Sequence, residues 1–229
     1  MNTRLQAIQR ISHLLSKNYV PESPNDFIGD TRTVAEQLAR NAADALAMQP
    51  SGMPPAAPPL RYVINGKPGI GKSALLRWLQ VCIKAHPKWS TFKFSGTQVK
   101  VETVEELARQ FHYRDLYGDY RLVWIDEADK IPTVAQVRFL LLLDEQPNNV
   151  AVAVTSNCKL TEFEERFQTR FQPFEPRPPT QDQVQQFLRQ FPLAEHELNQ
   201  IATFACGNVR QALNDTLSAL QSHPSAVAA

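Results

Sequence analysis

Apolar residues follow two alternating spacings along the middle of the chain, and these spacings predict strands and helices in turn. Short β-rich runs are separated by stretches in which apolar residues recur three or four positions apart. We predict strands at 61–65, 91–95, 122–126, 150–156 and 170–175, and helices between them at 72–85, 102–112 and 133–146. Strands that alternate with helices favour a parallel sheet with helices on both faces. The pattern therefore predicts an α/β fold.

The flanking regions have helical spacing without strands between the helices. Helices are predicted at 3–17 and 31–48, and three more follow the proline-rich break at 175–180. The helix at 3–17 either packs on its own domain or docks on a partner. The expected parts are an N-terminal amphipathic helix at 1–17, an αβ core at 18–176 that contains a proline-rich linker at 49–60, a helical unit at 177–222 with helices at 180–191, 194–205 and 208–221, and a flexible tail at 223–229.

Composition narrows the possible functions only slightly. The net charge of +1 neither indicates nor excludes a nucleic-acid partner. The three cysteines are far apart in sequence and the histidines lack metal-site spacing, so we expect neither a zinc site nor a disulfide framework. Free cysteines suit a reducing compartment, and no apolar run has the length of a membrane span or the character of a signal peptide. We therefore expect a cytoplasmic protein that does not bind a membrane.

A glycine-rich loop carries the first chemical signal. The sequence GKPGIGKS at 66–73 matches the phosphate-binding pattern G-x-x-x-x-G-K-S/T in full, between a predicted strand and a predicted helix. Glycines let backbone N–H groups point at phosphate oxygens, and the helix N-terminus adds positive potential. Lys72 is expected to reach the β- and γ-phosphates, and Ser73 to ligate Mg²⁺. The other positions expected to bind the nucleotide are Gly66, Lys67, Pro68, Gly69, Ile70, Gly71 and Ala74.

Two acidic residues end the apolar strand in LVWIDEADKI, at 122–131. Acids at the carboxyl end of a parallel strand lie where such folds bind ligands. In a P-loop protein, Asp126 would hold Mg²⁺ through water, and Glu127 would be the general base that activates the attacking water. The letters D-E-A-D are also the emblem of a family of RNA helicases. Those enzymes need two tandem RecA-like domains, whereas this sequence predicts one αβ domain.

Further stretches stand in a fixed order around these two motifs. They are NYVPESPNDFIGD at 18–30, the continuation of the acidic motif to VAVAVTSN at 157, ERFQTRF at 165–171 and GNVRQALN at 207–214. In this order they resemble the adenine box, the Walker B to sensor 1 region, the arginine-finger segment and the sensor 2 helix of the AAA+ ATPases. Within that group they resemble the clamp-loader branch. The resemblance covers 18–222 of the chain.

The resemblance implies roles for individual residues. Asn157 matches sensor 1, which helps to orient the water near the γ-phosphate, and Arg210 matches sensor 2. Arg170 matches the arginine finger, which acts on the nucleotide of a neighbouring subunit. Arg166, one helical turn earlier, is the competing candidate for the finger. The positions that match the adenine pocket are Tyr19 and Ile28.

Taken together, these motifs imply an ATPase that uses ATP and Mg²⁺ and works as a homo-oligomer, or in a mixed AAA+ assembly, through Arg170. Only 223–229 follow the last predicted helix, so we expect no collar domain of the clamp-loader kind. Compact AAA+ proteins of core plus lid include helicase loaders and regulators of transposition targets, so DNA and a protein partner are expected. The positions expected to face the channel of a ring are Arg109, Arg114 and Arg121, in the helix at 102–112 and the loop at 112–121.

Two other uses of the same ATPase cycle stay open. A protein remodeller or assembly chaperone would act on a protein client, but the aromatic residues at 111–120 form no clear pore-loop signature. A nucleotide-gated interaction module would turn ATP over slowly. Intact Glu127, Asn157 and Arg170 disfavour that third alternative.

Overall fold

A five-stranded parallel sheet forms the centre of the protein, in a computed structural model that describes residues 3–48, 59–111, 118–163 and 165–222. The strands are β1 Leu60–Asn65, β2 Thr91–Ser95, β3 Arg121–Asp126, β4 Val150–Ser156 and β5 Gln172–Phe174. Their order across the sheet is β2-β3-β4-β1-β5, and every neighbouring pair is parallel. The α/β class predicted from the sequence is therefore confirmed.

The helices are α1 Thr3–Leu15, α2 Asp30–Ala47, α3 Lys72–Cys82, α4 Val101–Phe111, α5 Thr133–Asp144, α6 Glu165–Gln168, α7 Gln181–Leu188, α8 Glu195–Ala205 and α9 Val209–Ser222. Helices α2 and α3 pack on one face of the sheet, and α4 and α5 pack on the other. Most of the predicted linker and the whole predicted tail at 223–229 lie outside the described residues. Within the described ranges, no helix is long and apolar enough to cross a membrane.

Alternation along the strands divides the core into two layers. Tyr62 and Ile64 of β1 point into a cluster formed with α2 and α3, whereas Val63 between them points into a cluster formed with α4 and α5. Successive side chains of a strand point to opposite faces, so a strand buried on both sides must be apolar at every position. The apolar run in β4 meets this demand, since all seven of its residues are buried.

The strand order brings the ends of distant segments together. β4 lies between β1 and β3, and Asn65 pairs with Ser156 while Ile125 pairs with Val154. Because parallel strands end at the same edge of a sheet, the P-loop, the acidic motif and the sensor 1 segment all leave from this edge.

The last three helices form a separate lid with its own core, and α1 belongs to it. Ala7 and Ile11 of α1 are buried against residues of α7, α8 and α9. Arg4 Nε donates a hydrogen bond to the carbonyl of Leu220 at 2.5 Å. Of the two alternatives for the first helix, packing on its own chain describes the structure.

Ile11→Ala should lower the free energy of unfolding by about 2 to 5 kcal/mol, because it leaves a cavity where a fully buried side chain stood. Urea unfolding followed by circular dichroism measures the change. Leu5→Ala is the matched control, since Leu5 on the same helix is 56% exposed and should change the stability by less than about 0.5 kcal/mol. Equal losses in the two variants would show that α1 does not dock through its Ile11 face.

The arginines expected to face a ring channel differ in their surroundings. Arg109 is exposed and pairs with Glu106 at 2.7 Å. Arg121 is only 6% exposed, and its guanidinium donates to the carbonyl of Gln110. The expectation for Arg121 was therefore wrong, because this residue starts a central strand and its side chain ties α4 to the sheet. Arg114 lies outside the described residues.

Candidate nucleotide-binding site

A cavity of about 680 Å³ lies where the edge of the sheet meets the lid. The P-loop, α3 and the ends of β3 and β4 line one part of it, and the N-terminal segment and the lid line the other part. The apolar residues of the second part are Leu14, Leu15, Tyr19, Phe27, Ile28, Phe187, Val209 and Leu213. A site that combines apolar walls with a few convergent charged groups suits a ligand that has a base at one end and phosphates at the other.

Lys72 occupies the centre of the P-loop. Its ammonium donates to the carbonyl of Gly66 at 2.6 Å, to the carbonyl of Lys67 at 3.0 Å and to Asn157 Oδ1 at 2.9 Å. Burial lowers the pKa of Lys72, and the nearby Asp129 carboxylate opposes this shift. Residues 68–74 of the loop line the cavity, whereas Gly66 and Lys67 stand behind them and position Lys72 through their carbonyls.

The lid contacts the P-loop directly at Gly69. The backbone N–H of Arg210 donates to the Gly69 carbonyl at 3.2 Å. Gly69 has a φ of +82°, and a Cβ on it would lie 1.9 Å from Asn208 Oδ1. Glycine is favoured here, because this φ strains other residues and a Cβ would force the Asn208 side chain to move. The Arg210 side chain lines the same cavity as Lys72, as the sensor 2 match implies.

Ser73 and Asp126 come together as a metal site requires. The Ser73 hydroxyl donates to Asp126 Oδ1 at 3.1 Å, and the Thr155 hydroxyl donates to the same oxygen at 3.0 Å. A hydroxyl and a carboxylate are hard oxygen donors of the kind that Mg²⁺ prefers. The donor set therefore fits a magnesium ion carried in with a nucleotide. The sequence pattern assigned no role to Thr155, although it lies two positions before Asn157.

Glu127 lies at the cavity in an unusual backbone conformation. Its φ of +57° and ψ of +55° are left-handed, and its N–H donates to the Thr155 hydroxyl at 3.1 Å. The Glu127 carboxylate pairs with Lys130 at 2.6 Å. Both side chains are close to half exposed, so solvent screens the pair and it contributes little to stability. Lys130 can therefore give up the carboxylate at little cost.

The fourth letter of the D-E-A-D tetrad has a structural role that the sequence analysis missed. Asp129 lies on the single 3₁₀ turn Ala128–Lys130, and its Oδ1 accepts from the Ser156 hydroxyl at 3.1 Å and from the Asn157 N–H at 3.2 Å. The backbone of Asn157 is thereby fixed, while its side-chain oxygen accepts from Lys72. The turn after β3 thus holds the sensor 1 position against the P-loop lysine.

Arg77 is a second residue that the sequence analysis missed. It lines the cavity from α3, one turn after Ser73 and on the same face of that helix. Burial lowers the pKa of its guanidinium, and Asp126 opposes the shift. The i,i+4 spacing from Ser73 was the available signal. Arg77 adds a further cation for phosphate oxygens.

Tyr19 and Ile28 both line the cavity and are half-buried. Tyr19 stands edge-on to His13, with ring centres 5.6 Å apart. Burial, with a further contribution from Asp26, raises the pKa of Tyr19 to about 12, so its hydroxyl keeps its proton. The phenol therefore offers a flat ring and a hydrogen-bond donor to a base.

Arg170 and Arg166 lie away from the cavity of their own chain. Arg170 makes two hydrogen bonds to the Asp144 carboxylate, at 2.9 and 2.8 Å, and a third to the carbonyl of Arg166 at 3.0 Å. The guanidinium lowers the pKa of the Asp144 carboxyl below its usual range. Neither arginine lines the cavity, so neither can act on a nucleotide bound to the same chain in this conformation.

No family model matches the sequence, and no curated protein matches it. Solved structures do match. Two structures of RuvB variants from Thermotoga maritima give TM-scores of 0.66 and 0.65 at 17% and 16% identity, over 86% of this chain and 63% of theirs. Cdc6p from Pyrobaculum aerophilum gives a TM-score of 0.60 at 19% identity, over 87% of this chain and 62% of its own. The chain thus spans less than two thirds of the length of these structures.

At these identities the likeness shows the fold. It does not single out the clamp-loader branch that the sequence motifs favour. The chain has the AAA+ fold, a P-loop α/β core with a helical lid.

Proposed function

We propose that the protein binds ATP with Mg²⁺ and hydrolyses it. One observation carries this proposal: residues from separate sequence motifs line a single cavity. Lys72 and Ser73 come from the P-loop, Asp126 and Glu127 from the acidic motif, and Asn157 from sensor 1. Arg210 reaches the same cavity from the lid. A shared cavity for these groups is the arrangement that phosphoryl transfer requires, and it is not expected by chance.

We propose one step for each group. Lys72 binds the β- and γ-phosphate oxygens, and Ser73 and Asp126 hold the metal ion, which when bound offsets charge on the same phosphates. Asn157 orients a water against the γ-phosphorus. Glu127, released from Lys130, accepts a proton from this water as its oxygen bonds to phosphorus and the bond to the ADP oxygen breaks. Arg210, on the lid helix α9, contacts the γ-phosphate, so the loss of that phosphate changes the position of the lid.

We further propose that the site is completed by a second protomer, in a homo-oligomer or a mixed AAA+ assembly. Arg170 lies on the turn that connects α6 to β5. It is bound to Asp144 and lies outside the cavity of its own chain. A guanidinium there can meet a nucleotide only across a subunit interface, where it would offset charge in the transition state. To do so, the Arg170 guanidinium must leave the Asp144 carboxylate and bind the phosphate of the neighbouring protomer. Arg166 is the alternative finger.

Arg170→Ala should lower ATP turnover by about 10³-fold or more, the range measured for arginine fingers. Mixing it with Lys72→Ala should restore part of the activity, because the intact Arg170 of the second variant faces the intact nucleotide site of the first. Phosphate release across a range of mixing ratios measures the recovery. Arg138→Ala, which removes an exposed arginine on α5, is the control.

The absence of recovery at every ratio would count against a finger that acts in trans. The same loss and recovery in Arg166→Ala, with normal activity in Arg170→Ala, would transfer the role to Arg166. These outcomes concern the finger alone, since nucleotide binding by each variant is measured separately.

We propose DNA as the client, in helicase or replication-factor loading or in the regulation of transposition targets, in the cytoplasm. The support is the resemblance of the motifs to compact AAA+ proteins of those kinds. Stimulation of ATP turnover by double- or single-stranded DNA tests the proposal. Stimulation by an unfolded polypeptide, with no response to DNA, would favour a protein remodeller instead.

A further inference from the structure

Lys93 places a positive charge against the carboxylate that is proposed to hold the metal. It lies on β2, where it pairs with Trp124, two positions before the pairing of Ser95 with Asp126. The Lys93 ammonium stands 3.8 Å from the centre of the Trp124 ring and 3.9 Å from Asp126 Oδ2. This cation–π contact with a ring that is only 2% exposed favours a position of the ammonium beside Asp126.

The two oxygens of Asp126 have different partners. Oδ1 accepts from the hydroxyls of Ser73 and Thr155. Oδ2 faces Lys93. A water bound to Mg²⁺ needs an acceptor on this carboxylate, and Oδ2 is the oxygen that the hydroxyls leave to it. The ammonium therefore faces the oxygen of Asp126 that neither hydroxyl contacts, from a residue that lies just outside the cavity lining.

Because both are positively charged, the Lys93 ammonium and a metal ion would compete for the Asp126 carboxylate. A fixed monovalent cation at this distance repels an incoming divalent ion and weakens the negative potential that attracts it. Arg77 lines the same cavity and adds to the positive potential. Metal loading at Asp126 must overcome both cations, whereas the Ser73 hydroxyl carries no charge.

We propose that Lys93 competes with Mg²⁺ for Asp126 and so sets how much free Mg²⁺ the nucleotide site requires. Lys93 is a positioning residue, since it acts through Asp126. The inference rests on the proposed function, because it assumes that the cavity binds a nucleotide with its metal.

Lys93→Met tests the competition, because it removes the ammonium and keeps an unbranched apolar side chain beside Trp124. A fluorescent ADP analogue is titrated onto the full chain at a series of buffered free Mg²⁺ concentrations. We expect half-maximal enhancement of nucleotide affinity at about tenfold lower Mg²⁺ in Lys93→Met, at the low end of effects seen when groups behind a metal ligand are changed. Nucleotide affinity in EDTA should change much less. The difference between variant and wild type should shrink at high salt, because half of the Lys93 side chain is exposed and screened.

Lys88→Met is the matched control. Its ammonium also stands over an aromatic ring, that of Trp89 at 4.7 Å, but among the described residues it makes no ion pair with Asp126. Lys93→Arg, which keeps the charge, should behave like the wild type. Lys93→Gln is a second neutral variant, and thermal melting shows which of the two neutral variants is folded.

An unchanged Mg²⁺ requirement in a folded, nucleotide-binding neutral variant would overturn the inference. A higher requirement would also overturn it, because Lys93 would then support the metal rather than compete with it. Failure of the wild-type chain to bind the nucleotide would contradict the proposed function itself, so the two failures are distinguishable.

Discussion

Lys72→Ala is expected to abolish ATP binding. The ammonium is the group proposed to contact two phosphates, and hydrogen bonds to charged groups contribute about 1.5 to 3 kcal/mol each. The loss of two such contacts should raise the dissociation constant for ATP by at least about 100-fold. Titration of a fluorescent ATP analogue in the presence of Mg²⁺ measures the change.

The adjacent lysine of the loop provides the control. The Lys67 side chain is exposed and does not line the cavity, so Lys67→Ala should bind ATP with nearly normal affinity. Lys72 also holds the carbonyls of Gly66 and Lys67 and the amide of Asn157, so a thermal melt must show that Lys72→Ala is folded. Normal ATP affinity in a folded Lys72→Ala protein would refute the phosphate site.

Glu127→Gln is expected to separate binding from hydrolysis. The amide keeps the shape of the side chain but cannot accept the proton of the attacking water, and general bases contribute about 10²- to 10⁴-fold to a rate. ATP affinity should stay within a few-fold of the wild type, while phosphate release falls by that factor. Steady-state and single-turnover assays on the same preparation measure the two quantities.

A surface glutamate distinguishes this effect from a change in net charge. Glu102→Gln alters the first turn of α4, away from the cavity, and should leave turnover unchanged. An unchanged rate in Glu127→Gln would move the general base to another group. Loss of ATP binding in that variant would mean that Glu127 supports the site rather than the chemistry.

Local sequence patterns were sufficient for the elements and for much of the site. The apolar run of β4 and the glycine loop before α3 each carry their signal within a few residues, because burial and phosphate binding constrain neighbouring positions together. The acidic pair after β3 carries a comparable local signal. Residues 68–74 of the loop and the acidic pair line the cavity, and β4 lies within the sheet.

Contacts that depend on long-range strand pairing could not be found in this way. Asp129 accepts hydrogen bonds from Ser156 and Asn157 only because β4 lies next to β3 in the sheet. The spacing of residues along the chain does not reveal that neighbourhood. Lys93 reaches Asp126 through the register of β2 on β3. Arg121 was placed on a channel surface for the same reason, since its burial depends on α4 closing over the strand.

The arginine finger shows a limit of motif matching. The motif gave Arg170 a role on a neighbouring subunit, and it could not reveal that Asp144 at the end of α5 holds this guanidinium through two hydrogen bonds. The partner lies 26 positions away in sequence. The contacts between α5 and the turn after α6 therefore determine whether Arg170 can leave Asp144 and reach a nucleotide. The motif alone does not.

The central claim is that ATP is hydrolysed between protomers that assemble on DNA. The most direct test is the steady-state rate of ATP hydrolysis per protomer, measured across a range of protein concentrations with and without DNA. We expect the rate per protomer to rise with concentration, because each site needs the arginine of a neighbour, and to rise further when DNA is added. A rate per protomer that stays constant at every concentration and does not respond to DNA would contradict the account.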